Sequence, residues 1–171
     1  MDAVNRRNKI VEIVSKAGGP VTGNELSIEL NVTRQVIVQD IALLRASGTP
    51  IFATPTGYII LDMNAKKLPM KVFTCRHLTY EKTEEELMII VENGGKVRNV
   101  IIEHPIYGEI TGNLMLSTKE SIKNLMERLK RKDSLMLSST VDGVHMHTVE
   151  AASETELLVI ENKLRDAGIL L

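Results

Sequence analysis

Between Asp62 and Met70 the hydrophobic periodicity that organises the rest of the chain stops, in the stretch Asp62-Met63-Asn64-Ala65-Lys66-Lys67-Leu68-Pro69-Met70. In a chain of 171 residues, a break at this position excludes one continuous core. It leaves two small units, each long enough to bury a core of its own. We therefore divide the chain into residues 1–62, a linker over 63–69, and residues 70–171. No apolar run approaches the ~18 residues of a membrane span, and the polar start Met1-Asp2-Ala3-Val4-Asn5-Arg6-Arg7 is no secretory signal. The expectation is a cytoplasmic protein with no membrane partner.

The first unit reads as three helices and a hairpin. Val4, Ile10, Val11, Ile13 and Val14 repeat at helical spacings over residues 3–17 and stop at Gly18-Gly19-Pro20. Thr22-Gly23-Asn24-Glu25 has capping-box spacing and opens a short second helix with Leu26 and Leu30 inward. After a tight turn at Asn31-Val32, Thr33 is the N-cap of a third helix running to Gly48, with Ile37, Ile41 and Leu44 on its buried stripe. Ile51 to Thr54 and Tyr58 to Leu61 flank Pro55-Thr56-Gly57 as two strands of a hairpin. That order is a winged helix-turn-helix.

Charge bears on how such a unit meets DNA. With 21 Lys+Arg against 22 Asp+Glu the chain has a formal net charge of -1, so binding must come from a motif rather than from bulk attraction. Burying Ile37, Ile41 and Leu44 turns Gln35, Gln39 and Ala42 outward. A glutamine can bond an adenine edge bidentately in the major groove, and Arg34, Arg6 and Arg7 are candidates to hold phosphates. Each of these is, taken singly, also an ordinary solvated side chain. Residues 1–62 hold six basic and six acidic side chains, so a dimer is needed to supply affinity.

The second unit reads β-α-β-β-α-β-α with a candidate last strand at Ile169-Leu170-Leu171. The strands are Met70 to Arg76, Val97 to Glu103, Ile110 to Leu116 and Val144 to Val149. The helices begin at capping patterns: Thr83-Glu84-Glu85-Glu86, Ser117-Thr118-Lys119-Glu120 (running to Lys130-Arg131-Lys132) and Ser153-Glu154-Thr155-Glu156. The expected class is α+β, a mostly antiparallel sheet with helices on one face.

All four histidines fall in this unit: His77, His104, His145 and His147. Residues i and i+2 of a strand share a face, so His145 and His147 set two imidazoles about 6 to 7 Å apart at their roots. The same spacing fits two surface histidines on an exposed strand. His77 at the end of the first strand and Glu86, expected in the first turn of the next helix, are candidates to complete a metal site. Three imidazoles and one carboxylate suit Zn, Ni or Fe(II), whereas Mg and Ca want more oxygens. Cys75, the single cysteine, rules out an internal disulfide and a cysteine-rich zinc site. His104, restricted by Pro105 and followed by Tyr107 and Gly108, is read either as a polar group of a small-molecule pocket or as the brace of a hairpin turn.

Two sets of segments carry a family resemblance. Thr33-Arg34-Gln35-Val36-Ile37-Val38-Gln39-Asp40-Ile41-Ala42-Leu43-Leu44-Arg45-Ala46-Ser47-Gly48 resembles the third helix of a common bacterial winged-helix family, in which Asp40 and Arg45 would belong to the framework. Cys75-Arg76-His77, Glu103-His104-Pro105-Ile106-Tyr107-Gly108-Glu109-Ile110 and Gly143-Val144-His145-Met146-His147-Thr148 resemble the three-histidine (3H) domain. Joined, they resemble the niacin-responsive transcriptional repressors of Gram-positive bacteria and relatives. The resemblance implies a homodimer on double-stranded operator DNA that regulates NAD-precursor biosynthesis or niacin uptake genes. Nicotinic acid or a related pyridine would be its co-repressor. It also implies a divalent metal held by His77, Glu86, His145 and His147, with His104 and Tyr107 as further effector contacts. The loop Leu78 to Thr83 is one residue longer than usual for the family, which leaves Glu85 as an alternative to Glu86. The rival reading is a metal-dependent enzyme acting on a small amide or carboxylate, with Glu103 or Glu109 as base.

Overall fold

The structure, a computed structural model, describes residues 1–62, 67–131 and 135–171. Residues 63–66 of the expected linker and Lys132 at the expected end of a helix lie outside the described residues. The chain forms two compact units, Met1–Ala65 and Lys66–Leu171.

In the first unit α1 (Ala3–Lys16), α2 (Gly23–Glu29) and α3 (Arg34–Ala46) precede β1 (Ile51–Thr54) and β2 (Gly57–Ile60). The capping box at Thr22 forms in full: Glu25 N donates to the Thr22 hydroxyl and Thr22 N donates to the Glu25 carboxylate. Two of the free amides at the α2 start are thereby satisfied. Thr33 caps α3 as expected. Ile10, Val14, Leu26, Leu30, Ile37, Ile41, Leu44 and Ile51 make one core. The antiparallel hairpin β1–β2 is tied back to the helices, since Val21 and Tyr58 exchange both backbone hydrogen bonds at 2.9 and 2.8 Å.

In the second unit β3 (Met70–Arg76), β6 (Val144–Glu150), β4 (Lys96–His104) and β5 (Gly108–Leu116) form an antiparallel sheet in that spatial order. Helices α4 (Tyr80–Glu92), α5 (Lys119–Arg131) and α6 (Glu154–Asp166) supply Leu87, Ile90, Ile122, Met126, Leu157, Ile160 and Leu164 to a core that the sheet completes with Phe73, Cys75, Val97, Leu116 and Val149. Val72 and Val144, on the other face of the sheet, stay exposed. The expected last strand is a single bridge, Leu170 opposite Cys75.

Two local expectations change. Helix α4 begins earlier than the Thr83 pattern indicates, because Thr79 caps it by accepting from Lys82 N. Thr83 instead bonds back to the Thr79 carbonyl. Glu86 therefore sits in the second turn, beyond the reach of a first-turn dipole argument. A short 3-10 helix, Leu137–Val141, fills a stretch that carries no periodic signal.

Candidate metal centre

Strand alternation and register assemble the site. On β3 the residues Phe73, Cys75 and, just past the strand, His77 point inward. On β6 the inward set is His145, His147 and Val149. The register pairs Phe73 with His147 and Cys75 with His145, so His77 arrives beside the β6 start, where its amide donates to the Gly143 carbonyl at 3.3 Å. Helix α4 lies over this face with Glu86, Leu87 and Ile90 buried. The result is a carboxylate, 0% exposed, against three imidazoles that are each at most 9% exposed.

All three rings turn Nε2 toward Glu86. His77 Nε2 contacts Oε2 directly, His145 Nε2 lies 3.0 Å from Oε2 and His147 Nε2 lies 3.6 Å from Oε1. The ligand atoms of His77, Glu86 and His145 lie within 4.8 Å of one another. Among the described residues, Glu86 Oε1 has no hydrogen-bond partner. Glu85 is exposed and pairs with Lys82 at 2.7 Å, so Glu86 is the carboxylate that faces the imidazoles.

The opposite ring edges fix the tautomers of two rings. His145 Nδ1 lies 2.8 Å from the Gly143 carbonyl and His147 Nδ1 lies 2.6 Å from the Asn99 carbonyl. A carbonyl only accepts, so both Nδ1 atoms carry the hydrogen, and in the neutral rings both Nε2 lone pairs face the carboxylate. Lone pairs and a buried anion repel unless a cation stands among them. Burial pushes Glu86 up, yet the imidazoles outweigh it and hold its carboxyl well below the usual range. Burial pulls His145 down, but the Glu86 charge raises it above its ordinary value; for His147 burial wins and its value falls. The Cys75 thiol is pushed up, first by burial and then by Glu86. The donor set, its convergence and the unpartnered Oε1 fit a divalent ion of intermediate softness.

Gly143 makes this geometry reachable. It adopts φ +77°, and a Cβ there would lie 2.4 Å from the His77 carbonyl oxygen. Only glycine lets the β3 end and the β6 start approach so closely. Beside the cluster opens a cavity of about 150 Å³, walled mainly by Leu87, Val100, Leu114, Leu125, Leu129 and Leu137, with the Thr83 and Ser138 hydroxyls and the three imidazoles at its edge. The sequence reading missed the carbonyls of Gly143 and Asn99 and this cavity. The Asp142-Gly143 turn and a lone Asn in a strand of Val and Ile were the available signals.

His104 and Tyr107 lie elsewhere. They flank the β4–β5 turn, where His104 Nδ1 accepts from the amides of Ile106 and Tyr107 at 3.2 and 3.3 Å, and Tyr107 is 76% exposed. Neither lines the cavity, and the His104 imidazole braces the turn. Glu103 and Glu109 are exposed and paired across the same hairpin, likewise outside the cavity lining.

On the first unit, Gln35, Gln39, Ala42 and Arg34 are exposed on α3 as the stripe argument requires. Arg6 and Arg7 are engaged with protein: they bond the buried Asp40 at 2.6 and 3.4 Å. Asp40 thereby couples α1 to α3. Arg45 donates to the Ile51 carbonyl at 2.8 Å, a framework contact.

Comparison with known proteins agrees with this architecture. The 3H domain family matches residues 70–171 and an HTH domain family matches residues 6–59. The chain is 38% identical over 169 residues to the transcription repressor NadR of Bacillus subtilis (strain 168), covering 98% of this chain and 93% of that protein. It is 42% identical over 169 residues to the probable transcription repressor NiaR of Thermotoga maritima, covering 97% and 93%. The transcriptional repressor CcpN of Bacillus subtilis is a more distant relative, 26% identical over 143 residues, covering 79% of this chain and 60% of that protein.

Proposed function

This chain belongs to the 3H domain family of helix-turn-helix transcription repressors, and from that premise we propose that it represses as a homodimer whose hold on operator DNA is set by a divalent metal and nicotinic acid. It is a regulator and not an enzyme, as its named relatives are. The observation that carries the metal reading is the arrangement around Glu86: a buried anion faced by the Nε2 edges of His77, His145 and His147. When bound, Zn, Ni or Fe(II) would supply the positive charge the cluster lacks and a coordination position for a carboxylate.

The chain's own residues do the rest. Gly143 and Asn99 hold the rings of His145 and His147 in the ligating tautomer. The cavity is about the volume, ~150 Å³, of an apolar cavity that takes up a benzene ring. A single aromatic ring therefore fits between Val100 and the leucines, with its carboxylate toward the imidazole cluster. Mostly apolar walls disfavour a second, unpaired carboxylate. Nicotinic acid meets both conditions, and quinolinate, with two carboxylates, does not.

Two copies would present two α3 helices to major grooves about 34 Å apart on a palindromic site. Gln35 and Gln39 would read base edges there, with Arg34 on a phosphate. Effector acts by population shift, so it must bind the DNA-competent dimer more tightly than its alternatives. Isothermal titration of the Ni-loaded protein with nicotinic acid, nicotinamide and quinolinate tests the reading. Saturable heat is expected for nicotinic acid and none for quinolinate. Tightest binding by quinolinate, or no binding of any of the three, would overturn it.

A further inference from the structure

We propose that Asn99 is a positioning residue for the cluster, whose side chain keeps the His147 ring in the tautomer that aims its Nε2 lone pair at Glu86. The benefit to metal binding rests on the reading above; the geometry does not. Strand β4 pairs with β6 at Val97–Val149 and again at Ile101–Met146. That is four steps on one strand against three on the other, so β4 carries one extra residue, a bulge. On its other side the register with β5 also shifts, between Val97 and Asn99, and Met115 of β5 takes the left-handed φ of +53°, which residues with a Cβ seldom adopt. Two neighbouring strands thus depart from regular pairing at one level of the sheet.

What the bulge achieves is visible in two hydrogen bonds. Asn99 turns its backbone carbonyl out of the ladder to accept from His147 Nδ1 at 2.6 Å, and its side-chain Oδ1 accepts from Thr148 N at 3.0 Å. The amide side chain thereby satisfies the ladder donor that the displaced carbonyl abandons. A residue with no side-chain acceptor leaves Thr148 N to compete for the same carbonyl. His147 is then free to carry its hydrogen on Nε2, where it points a proton at the metal position. Hydrogen bonds of this kind to ligating imidazoles are worth about 10- to 100-fold in metal affinity.

The test compares the full-length wild type, Asn99→Ala and Asn99→Asp, the last retaining an oxygen for Thr148 N. Imidazole 15N NMR on the chelated proteins reads the His147 tautomer, and competition titration reads Ni(II) affinity. We expect Nδ1–H in the wild type and in Asn99→Asp. Asn99→Ala should show an Nε2–H fraction and about 10-fold or greater weakening of Ni(II). Asn99→Ala with Nδ1–H retained and unchanged affinity overturns the proposal. Should Asn99→Ala not fold, Asn99→Leu, which keeps the branching at Cγ but has no acceptor, takes its place. An Nε2–H tautomer in the chelated wild type overturns the proposal with either variant. A wild type that binds no Ni(II) or Zn(II) sinks the metal reading instead, while the tautomers still decide the role of Asn99.

Discussion

Glu86 is a buried anion faced by three imidazoles, with the Cys75 thiol beside it. The imidazoles hold its carboxyl well below the usual range, so the charged form contributes to stability at neutral pH, and a bound cation would add to that. Glu86→Gln is accordingly expected to lower the stability of the chelated protein and to remove the stabilisation by metal. That stabilisation is about 2.7 kcal/mol at a metal concentration 100 times Kd and is measured as the melting shift on adding Ni(II). Equal shifts in variant and wild type would exclude Glu86 as a ligand. The same residues set the pH response. In the chelated protein His145 should titrate above 6.5 and His147 below it. The raised value makes the His145 contribution complete below 6.5 and lost as pH rises through it. The lowered value makes the His147 contribution complete above 6.5 and lost on acidification. These two oppose each other, whereas metal binding meets proton competition at every imidazole. The difference in melting temperature between loaded and chelated protein should therefore shrink as pH falls through ~6.5; a difference that holds to pH 5 would argue against imidazole ligation.

At the scale of elements, the parts set by local chemistry were readable from the chain. Thr22 and Thr33 announce their helices through hydroxyls that satisfy free amides, and Ile37, Ile41 and Leu44 are buried as their spacing requires. Val4 fits the same spacing in α1 and stays 61% exposed. The start of α4 was misplaced because Thr79 and Thr83 both offer a capping hydroxyl, and the choice falls to the upstream one, which lets Tyr80 to Lys82 join the helix. His77, Glu86 and the 145/147 pair were legible as candidates, whereas their convergence depends on the β3–β6 register, which no local spacing encodes. The bulge at Asn99 and the 3-10 turn at Leu137 to Val141 are likewise products of tertiary pairing. Two substitutions probe these joints. Gly143→Ala meets both a positive φ and the His77 carbonyl, and should cost about 2 kcal/mol or more in denaturant unfolding and weaken metal binding with it. Asp40→Ala releases Arg6 and Arg7. It should lower the stability of the first unit by about 2 kcal/mol; an unchanged midpoint would show that the Arg–Asp contacts between α1 and α3 carry no weight.

At the scale of the whole molecule, the near-neutral charge of -1 leaves little bulk attraction for DNA, so the proposed dimer would draw operator affinity from the contacts that α3 makes in each copy. Gln35→Ala with Gln39→Ala is expected to weaken specific binding by about 10- to 100-fold per half-site, with binding to random duplex left alike, since a bidentate glutamine–adenine contact is worth about 1 to 3 kcal/mol. Equal loss on both duplexes would mean that these side chains do not read sequence. Metal and nicotinic acid bound in the second unit should set how tightly the first unit holds operator DNA, which operator titration by fluorescence anisotropy at one fixed salt concentration can measure. The duplex is one selected from a random pool, and the protein is chelated, Ni-loaded, or Ni-loaded with nicotinic acid. Tight binding is predicted only when metal and nicotinic acid are both present; equal affinity in all three preparations would contradict the account.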